Sequence, residues 1–453
     1  MPAALRYSLP AVLIAPCSPL PREHPDLFPK DDVTSSENIP GTPATDAGNP
    51  APATADSAPP APATTDPALP APVIPEPDQT ERVILRSAEE TGEAGCPCDL
   101  IVIEDSTGAL TSFALDLVAD HPSATVWSWN ASCAESRALT GLFPEQVATG
   151  RLRLPAGEAP VPLEEFAAGS EAHLVLARLP KSLPGLEDLA GRLAQIAVRT
   201  GREDLTLVAG GRVKHMTRSQ NEVLGAVFRD VRASRGLGKS RALIAAAPQA
   251  GITAPEPMHG AATVSVRGDR RELALRGIGG VFGGARPDAG SLLLLEALDA
   301  ALTGGELEAH QAVDLGSGNG LLTAYLAAAL PDAAVVGSDD DADAVAATHA
   351  TLAANALERE EVRVTWDASL SRLPDHSIDL VLLNPPFHDG TAVDATLVQG
   401  LLDAAARVLR PEGQLWFVHN SHLRYRPEVE RRIGPVTQRA RDRRFTVLSA
   451  RRR

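Results

Sequence analysis

Val313-Asp314-Leu315-Gly316-Ser317-Gly318-Asn319-Gly320 is an apolar run that reaches an acidic residue and passes into a turn holding three glycines. The run reads as a buried strand, and the residues after it, Leu321 to Leu330, read as a helix. Glycines at such a turn permit backbone angles that a side chain forbids, and they let the backbone come close to a ligand. Moving outward, Ala334-Val335-Val336-Gly337-Ser338-Asp339 reads as a second strand closing on a carboxylate. About twenty residues beyond the glycine turn is where nucleotide-binding sheets set an acid on ribose hydroxyls. Asp339 is the candidate, with Asp340 and Asp341 as competitors. A helix from Ala344 to Asn355 follows, then a third strand, Val362 to Trp366, ended by Asp367. A further strand, Ile378 to Leu383, runs into Asn384-Pro385-Pro386-Phe387, sixty-four residues after Gly320. Open α/β sheets bind ligands beyond the C-terminal ends of their strands. An amide and two ring-locked prolines there offer fixed acceptors for an amino group.

This ordered set resembles the class I S-adenosylmethionine-dependent methyltransferases that act on planar nitrogen. The resemblance implies S-adenosyl-L-methionine as cofactor, held by Asp314, Gly316, Gly318, Gly320, Asp339, Asp367 and Asn384. In that family Asp339 would serve the ribose and Asp367 the adenine amino group. Asn384, Pro385, Pro386 and Phe387 would form the catalytic turn.

The bulk properties bound the rest. A chain of 453 residues is too long for one ordinary domain. Between Pro40 and Pro77, twelve prolines alternate with Ala, Thr and Asp, without Lys, Arg or aromatics. Such a segment buries too little apolar area to offset its ordering entropy, so residues 1–82 are expected to be a disordered Pro/Ala-rich tail. Cys17, Cys96, Cys98 and Cys133 give no disulfide framework and no paired ligand spacing, so reduced cysteines and no metal site are expected. No run of eighteen apolar residues exists, a signal peptide fits poorly, and a cytoplasmic location without membrane contact is expected. The net charge of −16 is unevenly spread: residues 1–82 carry −7, residues 212–241 carry +6 and residues 421–453 carry +8. Clustered cations beside an acidic remainder fit a phosphate-binding face, although charge alone fits a solvated surface as well.

An internal echo appears from residue 83. Leu100-Ile101-Val102-Ile103-Glu104-Asp105-Ser106-Thr107-Gly108 lies over the Val313 segment, with Gly108 on Gly320. Leu174-Val175-Leu176-Ala177-Arg178-Leu179-Pro180-Lys181 lies over Leu380 to Phe387, so Arg178 stands where Asn384 would be. The spacings, 70 and 64 residues, suggest duplicated α/β domains of which the first has lost its chemistry. A cation at the acceptor position cannot hold an amino group. The arrangement resembles the bacterial ribosomal RNA guanine-N2 methyltransferases, which pair a degenerate N-terminal methyltransferase-like domain with a catalytic C-terminal one. Gly210-Gly211-Arg212-Val213-Lys214-His215-Met216, Val281-Phe282, Asp288-Ala289-Gly290-Ser291, Thr351-Leu352-Ala353-Ala354-Asn355 and the extension His388-Asp389-Gly390 carry that resemblance over roughly residues 83–453. It implies an α/β chain of two tandem Rossmann-like domains: 83–255 degenerate and concerned with RNA recognition, 256–453 catalytic. It further implies a monomer acting on ribosomal RNA or a ribosomal subunit, with a slight lean towards the large one. In the family, the Phe282, Asp288 and Ser291 region helps to close the cofactor pocket.

Phe387, His388, Arg212, Lys214, Lys239 and Arg424 are the candidate substrate contacts, and His419 and Asn420 are weaker ones. Ala233 to Ser240 meets the loosest phosphate-loop pattern. It follows a stretch, Asn221 to Arg232, that reads as an amphipathic helix, which is the wrong context for that loop. Three other functions stay open. A protein glutamine-amide methyltransferase would use the same acceptors, a small-molecule N-methyltransferase has less need of basic patches, and an assembly factor would bind RNA without catalysis.

Overall fold

The computed structural model describes residues 74–453 apart from 93, 95, 158, 254 and 387–394. The expected tail falls outside the described residues as far as 73, and its end is corrected: Asp78 caps the helix Gln79–Thr91, whose Thr80 and Glu81 are buried. Phe387, His388, Asp389 and Gly390 also lie outside them.

The first half runs α1 (Gln79–Thr91), β1 (Leu100–Ile103), α2 (Ala109–Leu117), β2 (Val126–Trp129), α3 (Cys133–Leu142), α4 (Pro144–Ala148) and β3 (Leu152–Arg153). It continues with α5 (Leu163–Phe166), β4 (Leu174–Arg178), α6 (Leu183–Thr200), β5 (Thr206–Arg212), α7 (Arg218–Val227), β6 (Phe228–Ala233) and β7 (Ser240–Pro248). A two-stranded ribbon, β8 (Met258–Val266) and β9 (Asp269–Gly277), joins it to the second half. That half runs α8 (Ala289–Thr303), β10 (Gln311–Leu315), α9 (Leu321–Ala329), β11 (Ala334–Asp339), α10 (Ala342–Ala354), β12 (Val362–Trp366) and β13 (Ile378–Leu383). It ends with α11 (Ala395–Val408), β14 (Leu409–Asn420), α12 (Arg426–Arg432), β15 (Val436–Arg441) and β16 (Phe445–Arg451).

The duplication read from the sequence is present in the topology. One sheet has the order β3-β2-β1-β4-β5-β7-β6 and the other β12-β11-β10-β13-β14-β16-β15. These are the same order, strand for strand. Each is parallel except for its last two pairings. Strands β1, β4, β10 and β13 are almost wholly buried, as expected of parallel strands covered on both faces. The order reverses between β1 and β4 in one sheet, and between β10 and β13 in the other, which is where such sheets open a ligand crevice. Gly108 and Gly320 begin the next helix with φ of 83° and 80°.

One expected element was wrong in its second half. Asn221 to Arg232 is not a continuous helix: α7 ends at Val227, and Phe228–Ala233 forms β6. The charges at 229, 230 and 232 suit an exposed edge strand as well as a helix face, and Phe228 buries against the core while pairing with Pro248. Ala233 to Ser240 therefore joins two antiparallel strands, a context in which no phosphate loop works.

The two halves share an apolar core. Ala342, Val345 and Trp366 of the second pack into the cluster holding Trp127, Trp129, Cys133 and Leu186 of the first. Within the first half, α1 lies tightly on β5 because Gly210 has no side chain: an added Cβ would stand 2.4 Å from Ile84 Cγ1. Gly210→Ala is expected to overpack this contact and cost about 1–3 kcal/mol. Chemical denaturation would show it, and Ile84→Ala in the same chain should be less than additive.

Candidate active site

The candidate site lies beyond the C-terminal ends of β10, β11 and β13. Asp314 is fully buried near the end of β10. Its Oδ2 accepts a hydrogen bond from Thr323 Oγ1 at 2.7 Å, while Oδ1 is buried without a hydrogen-bond partner. Burial pushes the carboxyl up to about 7; the Thr323 hydrogen bonds oppose that rise and the neighbouring Asp339 adds to it. Gly316 and Gly318 follow with φ of 86° and 53°, and a Cβ on either would meet nothing within 4 Å. The turn thus borders open space. Gly320 differs: a Cβ there would come within 2.8 Å of Thr348 Cα, so this glycine seats the turn against α10.

The three consecutive aspartates after β11 have separate tasks. Asp339 Oδ2 accepts from Gly318 N at 2.8 Å, which sets this carboxylate against the glycine turn. Asp340 turns towards the first domain, accepting from Ser132 Oγ, Cys133 Sγ and Ala134 N at 2.5, 3.0 and 2.9 Å. Asp341 caps α10, accepting from Asp343 N at 2.8 Å. Only Asp339 therefore faces the turn. Burial raises its carboxyl above the ordinary range, against the pull of the Gly318 and Asp341 N–H groups.

Asp367 is buried at the end of β12 and organises its own loop, accepting from Ser369 N at 3.1 Å and Ser371 Oγ at 2.9 Å. Burial pushes this carboxyl up, but those hydrogen bonds outweigh it and hold the group below the usual carboxylate range. Arg137 of the first domain stands 3.8 Å from it. Asn384 leaves β13 with Nδ2 donating to Asp288 Oδ2 at 2.9 Å and to Ser291 Oγ at 2.8 Å. Pro385 is buried and Pro386 exposed.

In the first domain the equivalent crevice is filled by the chain itself. Val102 replaces Asp314, and Glu104 keeps the left-handed turn at Gly316's position with φ of 59°. Asp105 accepts from Gly108 N at 3.0 Å and Thr111 N at 2.8 Å, so its carboxylate occupies the turn. Arg178 donates to Glu81 Oε1 at 2.6 Å and Asp78 Oδ2 at 3.1 Å, with Glu81 buried. Asp78, Glu81 and Asp105 are thus engaged by the chain's own donors.

Comparison with known proteins agrees with this division. A model described as RLMG N-terminal domain matches residues 78–250, and one described as Methyltransferase small domain matches residues 272–449. A Streptomyces coelicolor protein named ribosomal RNA large subunit methyltransferase G is 32% identical over 358 residues, covering 78% of this chain and 87% of its own length. The chain belongs to the ribosomal RNA large subunit methyltransferase G family. A Shewanella amazonensis protein of the same name is 31% identical over 292 residues, covering 64% of this chain and 70% of its own. Among solved structures, a T. thermophilus 16S rRNA N2-guanine methyltransferase in complex with AdoMet and guanosine aligns with a TM-score of 0.63 at 25% identity, covering 83% of this chain and 92% of that one.

In this family member the substrate candidates separate into two groups. Arg212 pairs with Ser240 across β5 and β7, and Val213 N donates to Lys239 O at 2.9 Å. Arg212, Lys214 and Lys239, all exposed, therefore share one corner of the first sheet. The C-terminal arginines are less free than their local charge implied. Arg431 and Arg432 pair with Glu428, Arg432 with Asp403, Arg439 with Glu306 and Arg451 with Glu412. Arg424 is exposed in the loop before α12. His419 is buried and stacks on Phe417 at 5.4 Å, as a core aromatic does. The cysteine reading also changes. Cys96 and Cys98 are joined as a disulfide, near His173 at the N-terminal edge of the first sheet and away from the candidate site.

Sequence reading missed the plug formed by Asp78, Glu81 and Asp105, and also the contact of Arg137 with Asp367. A repeated signal was available: Asp78-Gln79-Thr80-Glu81 and Asp288-Ala289-Gly290-Ser291 both start a helix with a capping aspartate.

Asp314 carries a pH consequence. A carboxyl raised from about 4 when unfolded to about 7 when folded favours the folded state in acid and loses that contribution as pH rises through about 7. Asp314→Asn is expected to lose less stability between about pH 4 and pH 7 than the unsubstituted chain. Chemical denaturation at a series of pH values checks this; parallel curves would contradict it.

Proposed function

We propose that the chain transfers a methyl group from S-adenosyl-L-methionine to the exocyclic N2 of a guanine in large-subunit ribosomal RNA. One observation carries the reading. In the second sheet alone, an open glycine turn and an Asn-Pro-Pro turn flank the crevice between β10 and β13, and the first sheet fills the same place with its own side chains. The residues fit a cationic cofactor: Asp314 Oδ1 is a buried acceptor without a partner, and Gly316 and Gly318 leave space at the turn that follows. Asp314, Gly316, Gly318, Gly320, Asp339 and Asp367 would hold the cofactor. When bound, it supplies an electrophilic methyl group on a sulfonium.

The chain's own work is positioning. A guanine N2 lone pair is delocalised into the ring and is a poor nucleophile. Asn384 Oδ1 and the Pro385 carbonyl would accept its two hydrogens, favour a pyramidal nitrogen and aim the lone pair, and the proton released after transfer passes to solvent. Orientation and electrostatics of this kind contribute several kcal/mol without a strong base. Phe387 would stack on the base and His388 would border it, roles that rest on the sequence alone. The target must be splayed out of folded RNA to reach the turn. Residues 78–255 would serve recognition through Arg212, Lys214 and Lys239, residues 256–453 catalysis, and the residues before 78 would form a tail. The enzyme would act as a monomer in the cytoplasm, and Arg424 would add a phosphate contact.

The test is tritium transfer from labelled S-adenosylmethionine to protein-free ribosomal RNA, to each isolated subunit and to a release-factor preparation. Label recovered as N2-methylguanosine from the large-subunit RNA is expected. Label in protein would replace the reading with glutamine-amide methylation. Asn384→Ala should lower transfer at least about 100-fold while cofactor binding persists. Lys239→Glu should weaken RNA affinity and flatten its salt dependence, leaving cofactor affinity unchanged. Calorimetry should find one cofactor per chain, and a stoichiometry of two would show that the first domain also binds.

A further inference from the structure

We infer that Asp288 is a positioning residue which, with Ser291, fixes the Asn384 amide in the orientation that leaves its oxygen for the substrate. The inference rests on the methyl transfer proposed above and assigns a new part of that site.

The two ends of a carboxamide are alike in shape and opposite in hydrogen-bonding sense, so only their neighbours decide which end points where. An ionised carboxylate accepts and never donates. With Asp288 Oδ2 at 2.9 Å, the near end of Asn384 must be the NH₂, and Ser291 Oγ at 2.8 Å takes its other hydrogen. Both Nδ2 hydrogens are then used. Oδ1 has no hydrogen-bond partner among the described residues, so it is the acceptor left over. The grip is itself anchored. Asp288 caps α8, where its Oδ2 also accepts from Ser291 N at 2.9 Å, and Leu294, Leu295 and Leu298 of α8 are buried in the main core. A helix fixed by its core face thus sets the angle of one amide.

The first domain repeats the device at the same three places. Asp78 caps α1, Glu81 is the third residue of that helix as Ser291 is of α8, and Arg178 ends β4 as Asn384 follows β13. There the two acids grip a guanidinium at 3.1 and 2.6 Å, leaving no acceptor. A capping aspartate that holds the residue at a strand end is therefore present in both copies. Only in the second does the held residue keep an acceptor to offer.

Asp288→Asn tests this, because asparagine keeps the shape and the capping ability of the residue while presenting either an oxygen or an NH₂ to Asn384. With the unsubstituted chain active on its RNA, the variant is expected to lose about 10–100-fold in kcat, the effect of a lost hydrogen bond to a charged group. The KM for RNA and the calorimetric Kd for S-adenosylmethionine should remain within about 2-fold, since neither measures the aim of the amide. In an Asn384→Ala background, single-turnover transfer should fall no further when Asp288→Asn is added, because Asp288 acts only through Asn384. Unchanged kcat in Asp288→Asn, a loss that lies wholly in cofactor Kd, or an additive loss on top of Asn384→Ala would each overturn the inference. Absence of transfer by the unsubstituted chain would overturn this assignment together with the proposed function.

Discussion

Asp340 ties the two halves of the molecule together at the edge of the crevice. Its side chain accepts three hydrogen bonds at the start of α3, and its backbone oxygen accepts from Cys133 N at 2.9 Å. An anion at a helix N-terminus meets unpaired N–H groups and the positive end of the helix dipole. Around it, Ala342 N and Trp366 Nε1 both donate to Ala131 O, and Arg192 pairs with Asp343 at 2.8 Å. Asp339 and Asp341 flank Asp340, so the contact also fixes the carboxylate that faces the glycine turn and the one that starts α10. Arg137 reaches Asp367 from the same helix, α3. The domain without an intact glycine turn thus builds one wall of the candidate site.

The proline pair and the α8 cap act on the opposite wall. Two rings lock the backbone after β13, and the cap locks the side chain that precedes them. Backbone and amide are therefore set by separate means.

Much of this was legible in the sequence, for identifiable reasons. Buried parallel strands are continuous apolar runs, so β10 and β13 could be bounded closely, and the strand-glycine-helix order pointed to the fold. The echo was legible because Gly108 and Arg178 fall at matching offsets from it. Asn221 to Arg232 misled because an edge strand with alternating charges satisfies a helical pattern over so few residues, and the pairing with β7 that decides it lies outside the stretch itself. Asp339 was legible as the acid that closes its strand about twenty residues past the glycine turn, but the tasks of Asp340 and Asp341 were not. Three identical side chains in a row differ only in which way each points, and that is set by α3, some two hundred residues upstream. The charge of the C-terminal segment misled in another way: composition counts arginines, but not the partners at Glu306, Asp403 and Glu412 that engage them. Such exposed pairs contribute little stability, yet they remove free cations from the surface.

The filled crevice of the first domain has a bearing on how the two halves respond to heat and to ligand. Arg178 is held there by Asp78 and Glu81, and Asp105 by the N–H groups of Gly108 and Thr111, so that copy carries its occupant within its own covalent chain. Asp314 in the second copy has one oxygen buried without a partner, and a rise in its pKa from about 4 to about 7 corresponds to a penalty on the order of 4 kcal/mol at neutral pH. A cationic ligand recovers that penalty only while it is bound. Because the two halves share one core, a ligand bound at the glycine turn would steady both of them.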